Sequence, residues 1–224
     1  MKASRDYMDD LLIRMAFHSC AIECNTISLP QVGVIFLERM LPSGGKSVWE
    51  FYEVENHKSA CEYIGSLLVA GQPLTLAEVK EIHSLLTDRL QHDRGQIKSQ
   101  QNAIRGAEFK TASPFETPQL MEQWMNNTNY RLDLAVNENE YLEVLADTHI
   151  QFEQIHPFSD GNGRIGRMVL LYLSMKYLKA PIVTRKEWRG RYMEFLGEQD
   201  VSGLVGLFKE SSDFERERIK EFGN

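Results

Sequence analysis

The 224-residue sequence lacks any apolar run that could span a bilayer; its best stretch, Met168 to Met175, is too short and is interrupted by Ser174. Its N-terminus carries Arg5, Asp9 and Asp10 where a secretory leader needs an apolar core. Cysteine is scarce. Of the three, Cys20 and Cys24 lie one helical turn apart and Cys61 is isolated, so the odd count without CxxC spacing argues for free thiols and against a disulfide framework or a zinc site. His18, His57, His83 and His92 have no metal-ligand spacing, and His149 reads as a packed or surface histidine. A basic surplus is also missing: 25 basic against 32 acidic residues give −7, which disfavours generic nucleic-acid binding and docking on anionic membranes. There is no low-complexity tract, internal repeat or Pro/Gly/Ser-rich linker. These absences predict one domain over 1–224, cytoplasmic, with no membrane and no direct nucleic-acid partner.

What is present is mostly helical periodicity. Helices are expected over Tyr7–Cys24, Pro30–Met40 behind Ser28, Asn56–Ala70, Thr75–Leu90, Thr117–Tyr130 and Glu138–Ile155. A buried helix should run from Gly163 to Leu178, followed by a helical tail with a charged end. The stretch Gln91–Pro118 is polar and turn-rich, with isolated apolar points at Ile97, Ile104 and Phe109, and suggests a small β-hairpin near 95–112. The expected class is therefore mainly α with one hairpin flap.

The chemistry concentrates in His156-Pro157-Phe158-Ser159-Asp160-Gly161-Asn162-Gly163-Arg164-Ile165-Gly166-Arg167. A helix should end before Pro157 and a glycine-rich turn should open the next near Asn162. N–H groups at such a helix start bind anions, and Gly161 and Gly163 allow close approach of a phosphate. Arg164 and Arg167, three apart, share a helix face and offer two forks for phosphates. Asp160 is a single carboxylate that, with phosphate oxygens, suits Mg²⁺. His156 titrates near neutrality and suits a general base. Together these residues read as phosphoryl-group chemistry on a nucleotide.

The segment matches HPFx[D/E]GNGRxxR at every fixed position and so resembles the Fic (filamentation induced by cAMP) domain family. Phe152, Glu153 and Ile155 before the histidine, Ser19-Cys-Ala-Ile-Glu23, and Glu55-Asn56-His57 also resemble Fic proteins. The resemblance implies a Fic-type helical bundle and AMP transfer from ATP, with Mg²⁺, to a Tyr, Thr or Ser hydroxyl of a target protein. It implies His156 as base, Asp160 on Mg²⁺, Gly161, Asn162 and Gly163 as an anion hole, Arg164 on the β-phosphate and Arg167 on the γ-phosphate. It further implies Phe158 as a core anchor and Tyr192 in the adenine pocket. The target-docking flap would be Ile104 to Thr111, with Ile104, Arg105, Gly106 and Ala107 at its start.

The resemblance also implies a brake of the form [S/T]xxxE[G/N] in an N-terminal inhibitory helix around 7–25. Ser19 and Glu23 fit it, and Glu23 would pair with Arg167. Cys24 stands where Gly or Asn is expected, a poor residue for the left-handed turn there. A second pattern, Ser211 and Glu215, lies in so charged a tail that a solvated face is the better reading. Left open are AMP removal, a UMP or phosphocholine donor, a nucleotide-binding regulatory module with little turnover, and a homo-oligomer.

Overall fold

The computed structural model describes residues 4–103 and 110–223. Nine α-helices and one 3₁₀ turn are found among them. They are α1 (Arg5–Ile22), α2 (Leu29–Glu38), α3 (Val48–Ala70), α4 (Leu76–Leu86), α5 (Thr117–Leu134), α6 (Glu138–Ile155), α7 (Asn162–Tyr177), α8 (Arg189–Glu198) and α9 (Val201–Glu221), with the 3₁₀ turn at Lys186–Trp188 before α8.

The helix starts are encoded locally. Ser28, Ser47 and Thr75 each form a capping box, with Gln31, Glu50 and Glu78 respectively. Asn137 and Asp200 accept the N–H groups of Glu140 and Gly203. The box at Ser47 explains why α3 begins at Val48, about two turns before the expected Asn56. Helix α4 stops at Leu86, short of Leu90, because buried Asn56 donates to the carbonyls of Leu86 (3.0 Å) and Asp88 (2.8 Å) and ties off the end. The tail is two helices: Gln199 turns left-handed and Asp200 caps α9.

Helix α7 is the central rod, with every residue from Arg164 to Ser174 buried. It is packed by α6, α4 and α3, while α6 also packs against α5 and α9, and α1 closes the bundle through α3, α2 and α7. A helix buried on all sides needs no amphipathic pattern. Its start, with the loop before it, is thereby held rigidly.

Two expectations need correction. No strand occurs among the described residues of 95–112; Ile104, Arg105, Gly106 and Ala107 lie outside the described residues. The flanking segments are joined by side chains, not by a ladder: Thr111 Oγ1 lies 2.8 Å from the Asn102 carbonyl oxygen, and Gln101 Nε2 donates to Thr111 Oγ1 at 2.8 Å. Their main chains pair instead with the end of α6 and the loop after it, as Lys98 N–H donates to Pro157 O (2.9 Å) and Ala112 N–H to Gln154 O (3.3 Å). Second, Ser211 and Glu215 are buried, not solvated. Ser211 bridges to the Val183 backbone, and Glu215 accepts from Tyr7 and Arg14 of α1.

Candidate active site

Helix α6 ends on His156, which takes a left-handed conformation (φ +50°), and Pro157 without an N–H forbids another turn. The His156 side chain is largely buried, with Nδ1 3.3 Å from the Glu153 carbonyl oxygen. That contact puts the proton on Nδ1 and leaves Nε2 with its lone pair. Burial, aided by the Lys98 charge, pushes the imidazole down to about 4, so it is neutral near pH 7.

The loop then folds on its own side chains. Asn162 Oδ1 accepts from Phe158 N–H (2.9 Å) and Nδ2 donates to Phe158 O (2.8 Å), so the Asn162 side chain is a stitch and only its N–H remains for a ligand. Phe158 is fully buried, stacked face to face on His83 at 3.8 Å. Gly95 N–H donates to His83 Nδ1 (2.9 Å), so Nε2 carries the proton and donates to the Asp160 carbonyl (3.0 Å). Gly161 caps α7 at φ +79°, a conformation costly for residues with a Cβ. The N–H groups of Asn162, Gly163 and Arg164 then form the first turn of α7 and have no intrahelical acceptor.

Asp160 is the exposed carboxylate of the loop, with 67% of its side chain open. It faces a cleft of about 710 Å³ lined also by Gln91, His92, Gln101, Asn102 and Ser159. Among the described residues no group of three or more His, Cys, Asp or Glu could hold a metal. A single exposed carboxylate beside an anion-binding helix start fits Mg²⁺ that takes its remaining ligands from substrate phosphates and water.

The two arginines are not solvated. Arg164 is buried and lies 3.5 Å from Glu53 Oε1, whose other oxygen accepts from Asn25 Nδ2 at 2.8 Å. Arg167 is fully buried; Nε donates to Ser19 Oγ (3.1 Å) and Nη2 to Ser19 O (2.9 Å) and Glu23 Oε1 (2.7 Å). Burial opposes ionisation of Glu23, but Arg167, with Arg164 and Arg189, outweighs it and holds the carboxyl below its usual range. A Cβ on Gly163 would overlap the Glu23 carboxylate, so that glycine makes room for it above the loop. Helix α1 ends in a Schellman turn, with Asn25 N–H to Cys20 O and Cys24 N–H to Ala21 O, both 3.1 Å. Cys24 occupies the glycine position at φ +70°.

Ser19, Glu23, His156, Asp160, Gly161, Asn162, Gly163, Arg164 and Arg167 are thus brought together from α1, the loop and α7. Residues 73–174 match the Fic/DOC family model. Over those residues the chain is a Fic domain. Protein adenylyltransferase Fic of Aedes aegypti is 31% identical over 209 residues, covering 90% of this chain and 40% of that protein. The chain therefore spans about 40% of the length of the curated relatives it matches. A Fic domain-containing signalling protein from Bacteroides thetaiotaomicron superposes with TM-score 0.83 at 23% identity, covering 98% of this chain and 87% of that one. Fic-1 of C. elegans gives 0.81 at 22% identity, covering 98% and 63%. BepC of Bartonella tribocorum, with bound AMPPNP, gives 0.53 at 18% identity over 70% and 88%.

Tyr192 of α8 does not offer what the resemblance implies. It is fully buried, its hydroxyl 2.7 Å from His149 Nε2 and near the Arg167 guanidinium, and presents no surface to a base. Sequence reasoning gave no role to Glu53, His83, Lys98, Asn102 or Glu153. Glu153 entered only through the resemblance, and His83 left a trace as a polar residue on the buried stripe Val79, Ile82, Leu86 of α4.

Proposed function

We propose that this Fic domain is a protein AMP transferase that moves AMP from ATP to a Tyr, Thr or Ser hydroxyl of a target protein, restrained by Glu23 on Arg167. The observation that carries this reading is a neutral His156 with Nε2 free, fixed beside the unsatisfied first-turn N–H groups of α7 and the two buried arginine forks. The names of the relatives and the AMPPNP in BepC support ATP as the donor.

His156 Nε2 accepts the proton of the target hydroxyl as its oxygen attacks the α-phosphorus. The bond from that phosphorus to the bridging oxygen breaks, and pyrophosphate leaves. The Gly161–Gly163 backbone stabilises the charge that builds on the α-phosphate oxygens. Arg164 binds the β-phosphate and Arg167 the γ-phosphate, which orients the donor for in-line attack. Asp160 would hold Mg²⁺, which would supply charge neutralisation to the donor's phosphates. Glu23 occupies the fork the γ-phosphate needs, so the donor binds productively only after that carboxylate leaves.

The test is intact mass of wild type, Glu23→Gly and His156→Ala after incubation with Mg²⁺ and ATP, with and without a cell extract as target source. An AMP adduct that is strong in Glu23→Gly, at least about tenfold weaker in wild type, and absent in His156→Ala is expected. Equal labelling of wild type and Glu23→Gly sinks the brake, and labelling in His156→Ala sinks the base.

A further inference from the structure

The last four carbonyls of a helix must find partners outside it, and at the end of α6 each does. Phe152 O accepts from His156 N–H at 2.9 Å, and Glu153 O faces His156 Nδ1 at 3.3 Å. Gln154 O accepts from Ala112 N–H at 3.3 Å, and Ile155 O from Lys98 Nζ at 3.0 Å. The series continues past the helix. His156 O accepts from Asn102 Nδ2 (3.0 Å), Pro157 O from Lys98 N–H (2.9 Å) and Phe158 O from Asn102 Nδ2 (2.7 Å). Lys98 and Asn102 together therefore hold the carbonyls of 155, 156, 157 and 158, one after another.

The pair is itself locked. Lys98 Nζ donates to Asn102 Oδ1 at 2.8 Å, which turns Nδ2 toward the loop, and Thr111 Oγ1 lies 2.8 Å from the same Oδ1. Lys98 is buried, and burial pushes its ammonium down to about 8. A buried cation at the negative end of α6 is favourably placed by the helix dipole.

We propose that Lys98 and Asn102 are positioning residues for His156: by clamping four successive carbonyls they fix the left-handed turn that aims the imidazole at the start of α7. The inference rests on the proposed role of His156 as base. The Lys98 charge acts on the imidazole through space as well. The titratable groups facing His156 are Lys98 from the 98–102 segment, Glu153 on α6, Glu23 on α1 and Asp160 on the loop. The Glu153 carbonyl and the Glu23 and Asp160 charges raise the imidazole's affinity for a proton, and Lys98 lowers it. Loss of the Lys98 charge therefore moves the imidazole titration to higher pH.

The variants are Lys98→Met, Lys98→Arg and Asn102→Ala, each in the Glu23→Gly background. Three properties are read: AMP transfer against pH, ATP affinity by calorimetry, and the His156 titration by NMR of the ring. Lys98→Met is expected to lower maximal transfer about tenfold or more with ATP affinity within about twofold, and to raise the ring midpoint by about half a unit or more. Lys98→Arg should restore the midpoint. Asn102→Ala keeps the cation, so it should lower transfer without moving the midpoint, and it serves as the test if Lys98→Met does not fold. An unmoved midpoint in folded Lys98→Met, or full transfer in Asn102→Ala, overturns the proposal. If the Glu23→Gly parent forms no adduct, the AMP-transfer reading fails, and the NMR midpoint still decides whether Lys98 acts on the imidazole.

Discussion

Helix α1 takes part in two arginine–carboxylate pairs, one at mid-helix and one at its C-terminal end, and the two are built differently. At mid-helix Arg14 forks onto Glu215 of α9 at 2.5 and 2.9 Å, Tyr7 donates to the same carboxylate at 2.8 Å, and Asp10 ties Arg14 (2.7 Å) to Arg218 (2.8 Å). The Glu215 side chain is 1% exposed. At the C-terminal end Glu23 accepts one hydrogen bond from Arg167 and is 36% exposed, where the helix dipole disfavours an acid. Arg167 keeps Ser19 Oγ and the Ser19 carbonyl when Glu23 swings away. Glu215 has no such exit, because leaving would strand the Tyr7 hydroxyl in the core and leave Arg14 with Asp10 alone. One pair is a fastening; the other, under the proposed function, is a plug that a phosphate displaces without unpacking the bundle.

The contrast breaks most sharply at Glu215. Glu215→Ala should cost about 3 kcal/mol, as removal of one member of a buried pair does, and should not raise AMP transfer. Glu23→Gly should cost less than about 1 kcal/mol, in the range of a partly exposed pair. Urea melts of both variants check this, and equal losses would erase the distinction.

A second carboxyl sharpens it. Glu153 lies on the inner side of Arg167, and no group among the described residues hydrogen-bonds its Oε1. Burial pushes this carboxyl up to about 7, with the nearby Glu23 charge adding to the shift and Arg167 opposing it. The unfolded chain ionises the carboxyl near its ordinary value and the folded chain only near 7, so the penalty grows between those points and is full above 7. Glu153→Gln should therefore stabilise the protein by about 2 kcal/mol at pH 8 and hardly at all at pH 4.5. Melting temperatures at the two pH values are the measurement, and an equal gain at both would refute the buried neutral acid.

The smallest expected effect is at the turn behind the plug. Cys24→Gly relieves a left-handed residue with a Cβ and should add about 0.5–1 kcal/mol, read as a shift of the thermal midpoint. No gain, or a loss, would mean that the thiol is packed to advantage.

The loop 156–167 was legible because its chemistry is contiguous: base, carboxylate, glycines and arginines fall in one stretch whose spacing has meaning on a helix start. Ser19 and Glu23 were marked only by the resemblance, and the structure sets both against Arg167. Glu215 was misread because its neighbours Arg216, Glu217 and Arg218 are charged, and a sequence does not say which face of a helix turns inward. The burial of Tyr192 was missed for the same reason. Lys98 and Asn102 were invisible: in a polar, turn-rich segment their type is what any surface loop would show, and isolated apolar points there suggested a hairpin instead.

Sequence alone determined the helices, through local caps and periodicity, and the residues of the catalytic loop, because both depend on groups only a few positions apart. The tertiary structure decided which carboxylate faces which arginine, that Tyr192 is buried near Arg167, and that one short segment holds the carbonyls around His156. Those contacts join residues tens to hundreds of positions apart, and only the packing of α1, α6, α7 and α9 sets their distances.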